Sequence, residues 1–157
     1  MFTVIGCGNL NRSDDGVGVV VARRLMGSES VSQRRDVLVA DAGTGGMDVM
    51  FRARGADKLV IVDANRSGTE PGAIYQVPGA ELERNFERAY SLHDFRWDHA
   101  LHMGRQIFGT NFPTDVTVFL IEVGQLGFGL ELTEPVRCAA NRVVKDIESM
   151  IADYAAT

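Results

Sequence analysis

Short apolar runs alternate with stretches of helical periodicity along this chain, and that alternation limits its fold more than any other feature. Phe2-Thr3-Val4-Ile5, Val37-Leu38-Val39-Ala40, Leu59-Val60-Ile61-Val62 and Val116-Thr117-Val118-Phe119-Leu120-Ile121 have strand length and are almost wholly apolar. Such strands are buried on both faces, which requires helices above and below a parallel sheet. The intervening segments supply them. Val17, Val20, Val21 and Leu25 recur at helical spacing, and a short helix is predicted around Met47 to Arg54. Trp97, Ala100, Leu101, Gly104, Ile107 and Phe108 share one face of a helix whose start is predicted at Ser91, because Ser91-Leu92-His93-Asp94 has capping-box spacing. Thr133-Glu134-Pro135 opens a last helix, with an apolar stripe of Val136, Val143, Val144, Ile147, Ile151 and Tyr154. Pro71-Gly72 marks a turn before a short strand from Ala73 to Val77. No repeat or linker divides the 157 residues. The expectation is one three-layer α/β domain over 1–157, a mostly parallel twisted sheet of about five strands with helices on both faces.

Composition narrows the function. Sixteen Lys and Arg against 21 Asp and Glu give a net charge of −5, a poor basis for non-specific binding to nucleic acid or an anionic membrane. No apolar run approaches the roughly 18 residues that cross a bilayer. The N-terminal Met1-Phe2-Thr3-Val4-Ile5 has no basic flank and reads as a strand rather than a signal peptide. Cys7 and Cys138 sit in apolar surroundings and are expected to be reduced, buried thiols of a cytoplasmic protein.

Chemistry concentrates in the loops that leave the strands. Gly6-Cys7-Gly8-Asn9-Leu10-Asn11-Arg12-Ser13-Asp14-Asp15-Gly16-Val17-Gly18 runs from the first strand into a helix, as a dinucleotide loop does. The third glycine of that fingerprint is absent, with Asn at position 11, and two adjacent carboxylates would repel a pyrophosphate. Of the pair, Asp14 is assigned to capping the helix; one cap does not need two acids, so Asp15 is free to point elsewhere. The second strand ends in Asp41, before Ala42-Gly43-Thr44-Gly45-Gly46, and the third in Asp63. Loops at the carboxyl ends of parallel strands converge on one edge, where ligands bind. Asp15, Asp41 and Asp63 are therefore expected along that edge, and clustered carboxylates require a cation or a proton between them.

All three histidines, His93, His99 and His102, lie within ten residues. His93 falls in the first predicted turn of its helix, where the macrodipole favours the neutral, metal-binding ring. Two carboxylates and one imidazole suit a borderline divalent ion with open positions. His99 and His102 fall opposite the apolar face and are expected to be solvated. His-Glu-x-x-His, Gly-x-Ser-x-Gly, Walker-type and Cys-x-x-Cys motifs are all absent. Cys7, between glycines, reads as a small core residue rather than a nucleophile.

Taken in order, these motifs resemble those of the [NiFe]-hydrogenase maturation endopeptidases. Gly6-Cys7-Gly8-Asn9 with Asp14-Asp15-Gly16, Asp41-Ala42-Gly43-Thr44-Gly45-Gly46-Met47, Leu59 to Ala64 ending in Asp63-Ala64, and Ser91-Leu92-His93 match that family's four signatures across essentially the whole chain. The resemblance implies a cytoplasmic endopeptidase that removes the C-terminal extension of a hydrogenase large-subunit precursor after nickel insertion. It implies a metal-binding triad of Asp15, Asp63 and His93 acting on nickel supplied by the substrate. Asp41, Gly43 and Thr44 would border the cleft and help position substrate. Leu92 replaces the family's usual proline, His99 stands where many members carry an acid, and Glu122 is either a further cleft carboxylate or a plain strand end. A non-catalytic nickel-dependent binding module for the same precursor is the alternative, and a small hydrolase with its own metal is a third reading.

Overall fold

The computed structural model describes residues 1–85 and 95–155. In chain order the elements are β1 (Phe2–Cys7), α1 (Val17–Met26), α2 (Glu29–Ser32), β2 (Val37–Gly43), α3 (Gly46–Ala53), β3 (Lys58–Asn65), β4 (Ile74–Pro78), α4 (Trp97–Phe108), β5 (Asp115–Glu122) and α5 (Glu134–Ala155). The five strands form one sheet in the order β2-β1-β3-β5-β4. All neighbouring pairs are parallel except β4 with β5. The expected architecture is therefore observed, with the short strand after Pro71-Gly72 as an antiparallel edge.

Strand alternation assigns each apolar residue to a layer. Phe2 and Val4 of β1, Val60 and Val62 of β3, and Phe119 and Ile121 of β5 pack with α1 and α5. Ile5, Leu59, Ile61, Val116 and Val118 face the opposite way, toward α3 and α4. Val136, Val143, Ile147 and Ile151 of α5 are buried as its stripe predicts. Each such side chain withdrawn from water contributes about 1.5–3 kcal/mol, so two apolar layers clamp the sheet from both sides.

Several local expectations are corrected. Helix α4 starts at Trp97, not Ser91; Ser91, Leu92, His93 and Asp94 lie outside the described residues. The Arg96 N–H donates to Nδ1 of His99 at 3.1 Å, so His99 satisfies a donor at the helix start instead of standing in solvent. His102 is half-buried as well, whereas Ile107, expected on the apolar face, is exposed. Cys138 is exposed on α5, hydrogen-bonded through its thiol to Glu134, and Cys7 alone is a buried thiol.

Candidate functional site

The sheet order puts β1 between β2 and β3. The chain leaves β1 toward β2 and returns past it to β3, so the loops beyond these carboxyl ends part and open a crevice. Two close approaches carry α1 up to that crevice. A Cβ at Gly18 would overlap the carbonyl oxygens of Val62 and Cys7, and one at Gly6 would overlap that of Gly18. Helix α1 thus lies directly on β1 and β3, the contact that a dinucleotide loop obtains from its third glycine. Ser13–Gly16 forms a 3-10 turn leading into α1, and this turn presents both acids of the pair.

The two acids diverge. Asp14 is fully buried and accepts hydrogen bonds from the N–H groups of Gly124, Gln125 and Thr133 at 2.9, 2.9 and 2.7 Å, and from the Thr133 hydroxyl at 2.8 Å. It is structural, as expected, but it does not cap its own helix: it fastens the loop between β5 and α5. Asp15 is half-buried, accepts the Asn9 N–H at 3.3 Å, and faces the crevice.

Asp63 continues the Leu59–Ile61 face of β3, so its side chain emerges on the α4 side. There Trp97 Nε1–H donates to Oδ2 at 2.8 Å, the Arg96 guanidinium donates to the same oxygen at 3.1 Å, and the Ala64 N–H donates to Oδ1 at 2.8 Å. Burial pushes the Asp63 carboxyl above its ordinary pKa, the Asp15 charge adds to that rise, and the Trp97, Arg96 and Ala64 donors oppose it. Trp97 looked like a core residue from its spacing; it is that and also the clamp on Asp63. Arg96 carried no signal in the sequence, because its relation to Asp63 exists only across the fold.

Asp15, Asp63, Arg96 and Trp97 form the wall between two cavities. One, of about 210 Å³, is bounded by Cys7, Gly8 and the Gly43–Gly46 turn. The other, of about 560 Å³, opens toward Asn65, Arg66, Arg84 and His99. Gly43 and Thr44 therefore border the cleft as expected. Asp41 does not: it lies in a separate groove with Arg23, which it pairs at 3.1 Å, and its other oxygen accepts the Gly43 N–H at 3.0 Å. Glu122 is no cleft carboxylate either. It is 1% exposed and accepts hydrogen bonds from Asn65, Ser67 and Thr69, so it braces the turn after β3. Burial pushes the Cys7 thiol well up, and the nearby Asp63 charge pushes the same way, which disfavours a nucleophilic thiolate. Among the described residues no three His, Cys, Asp or Glu side chains cluster as a metal site; His93, the third member of the expected triad, lies outside them.

Fold and site together define a doubly wound α/β protein with paired acids at its topological switch point. The chain belongs to the hydrogenase maturation protease family, whose HycI group it matches over residues 19–150. The members of that family are peptide-bond hydrolases. Among curated relatives, the coenzyme F420 hydrogenase subunit delta of Methanothermobacter thermautotrophicus is 27% identical over 152 residues, 92% of this chain and 90% of that one. The hydrogenase expression/formation protein HoxM of Azotobacter vinelandii is 29% identical over 136 residues, 85% of this chain. Here the chain spans 64% of the relative, less than two thirds of its length. The fold is shared with the hydrogenase maturating endopeptidase HybD from Escherichia coli (TM-score 0.77, 22% identity, 98% of this chain and 93% of that one). It is shared also with the [NiFe] hydrogenase maturation protease HycI from Thermococcus kodakarensis (TM-score 0.72, 23% identity, 96% and 92%).

Proposed function

We propose that this protein is the endopeptidase that removes the C-terminal extension of a [NiFe]-hydrogenase large-subunit precursor once nickel has been inserted. The observation that carries this reading is the meeting of Asp15 and Asp63, from two separate strand ends, on the wall between two cavities. A peptide crossing that wall has room on both sides of it, as a substrate cut internally requires. Two carboxylates, one of them desolvated, form a site that a divalent cation relieves. In the free protein the Arg96 guanidinium supplies part of that compensation.

Nickel arrives with the substrate. Asp15, Asp63 and His93 would hold it, carboxylate oxygens and a neutral imidazole being suited to a borderline divalent ion. Trp97 fixes the direction of the Asp63 oxygen, and the Gly43–Thr44 backbone lines the smaller cavity where the metal-bearing end of the peptide would sit. Activity in the cytoplasm, where the precursor is assembled, belongs to the same proposal. Among the described residues no helix is long and apolar enough to cross a membrane.

The test is intact-mass analysis of nickel-loaded and nickel-free precursor after incubation with this protein. Loss of a C-terminal peptide from the nickel-loaded form alone is the expected result. Unchanged mass in both forms overturns the reading, and unchanged mass with retained binding replaces it by a nickel-dependent binding module.

A further inference from the structure

The larger cavity beside the acid pair is lined by four arginines that come from four separate segments. Arg12 lies in the loop after β1, Arg66 follows β3, Arg84 follows β4, and Arg96 immediately precedes α4. This concentration of guanidinium groups stands out in a chain with net charge −5. Two of the four are already engaged: Arg96 pairs with Asp63 at 3.1 Å and Arg84 with Asp98 at 3.4 Å. Arg12 and Arg66 are exposed and form no ion pair with a described residue. They border the same cavity, with Asp15 and Asp63 on its inner wall.

Opposite charges arranged in this order act as a sorting device. The acids at the inner wall attract a cationic centre, and the unpaired guanidinium groups beyond them attract carboxylates, which they match as planar forks. A substrate carrying both features in the right order is held in register, and one with a basic stretch at the second position is repelled. We infer that the arginine-lined cavity is a binding site for an acidic stretch of the precursor chain flanking the bond to be cut, with Arg12 and Arg66 as its carboxylate receptors. The inference rests on the peptide-cleavage reading for the identity of its natural ligand, but the binding chemistry stands apart from it.

The test uses two fluorescein-labelled heptapeptides of alternating residues, Glu-Gly and Gln-Gly, titrated with the full-length protein and followed by anisotropy. The Glu peptide is expected to bind at least about tenfold more tightly than its Gln counterpart. Raising the salt from about 0.05 to 0.3 M weakens the Glu peptide but not the other, because the receptors are solvent-exposed. The double variant Arg12→Gln/Arg66→Gln, at exposed positions whose loss leaves the circular dichroism and thermal melt unchanged, lowers Glu-peptide affinity about tenfold. Equal binding of the two peptides, absence of binding, or an unaffected double variant overturns the inference. No nickel, precursor or cleavage enters this measurement. Its failure leaves the protease reading intact, and an uncut precursor leaves the cavity's ligand class assigned.

Discussion

Asp14 and Asp15 are neighbours in one 3-10 turn, yet they do opposite things because the turn aims them to opposite sides. Asp14 is fully buried and satisfies three backbone donors and a hydroxyl there, where an unpaired donor costs more than a made hydrogen bond yields. Asp14→Ala is expected to lower unfolding free energy by about 3 kcal/mol or more, read from urea denaturation; a loss within the scatter of surface mutants would show that the β5–α5 loop holds without it. Glu122 makes a parallel case on the far side of the sheet. Although burial pushes its carboxyl up, the hydrogen bonds from Ser67 and Thr69 outweigh that and hold it below its ordinary pKa. A carboxyl lowered on folding contributes stability above its unfolded pKa and loses it as pH falls through the folded one. Glu122→Gln should therefore destabilise by about 1–3 kcal/mol near neutral pH, with the gap closing as the pH falls below the ordinary glutamate range and through the lowered folded-state pKa. A gap that stays constant with pH would assign the effect to shape rather than charge.

Among the elements, α1 decides whether a site exists, since its position on the sheet sets where the Ser13–Gly16 turn ends. Gly18 permits that position. The Gly18→Ala methyl group would strike two backbone carbonyls, which cannot swing aside as a flexible side chain can. The expected cost is about 3 kcal/mol, well beyond the roughly 1 kcal/mol that alanine gains over glycine in a helix. Thermal unfolding measures it; an unchanged midpoint would mean that α1 has slack to lift from β1. Helix α4 shows the limit of local signals. Its apolar face was legible from Trp97, Ala100, Leu101 and Gly104, all buried. Its first turn was not, because Arg96 and His99 close it with capping-box geometry, the Arg96 N–H donating to the His99 ring, but without the Ser/Thr and Glu/Gln residues that mark a capping box in a sequence.

For the molecule acting on its substrate, Asp15→Asn and Asp63→Asn are each expected to reduce precursor cleavage by about 100-fold or more while the protein remains folded. Intact mass and circular dichroism read the two halves of that statement, and normal cleavage by both variants would remove the acids from the mechanism. On the proposed reading, in which the nickel belongs to the substrate, protein treated with chelator and dialysed is expected to cut nickel-loaded precursor as well as untreated protein does. A tightly held metal whose removal abolishes cleavage would instead make this a hydrolase with its own ion.

Periodicity and spacing sufficed for the strands, most of the helices, the parallel sheet and the edge where the acids gather. These features follow from which side chains avoid water and how often they recur, and both are local properties of the chain. The sequence also singled out Asp15 and Asp63 over Asp14, since one turn rarely needs two acids. Folding alone settled the rest. Asp41 belonged by pattern with the other strand-end acids, but Arg23, a full helix away in sequence, takes its carboxylate in a different groove. Glu122 was open between two roles until the turn after β3 closed over it. Trp97 and Arg96 meet Asp63 across sequence separations of 34 and 33, and Arg12, Arg66, Arg84 and Arg96 share a cavity only because the fold brings four separate segments together. Partnership between charges depends on distance and burial in three dimensions, and neither is written in the order of residues along the chain.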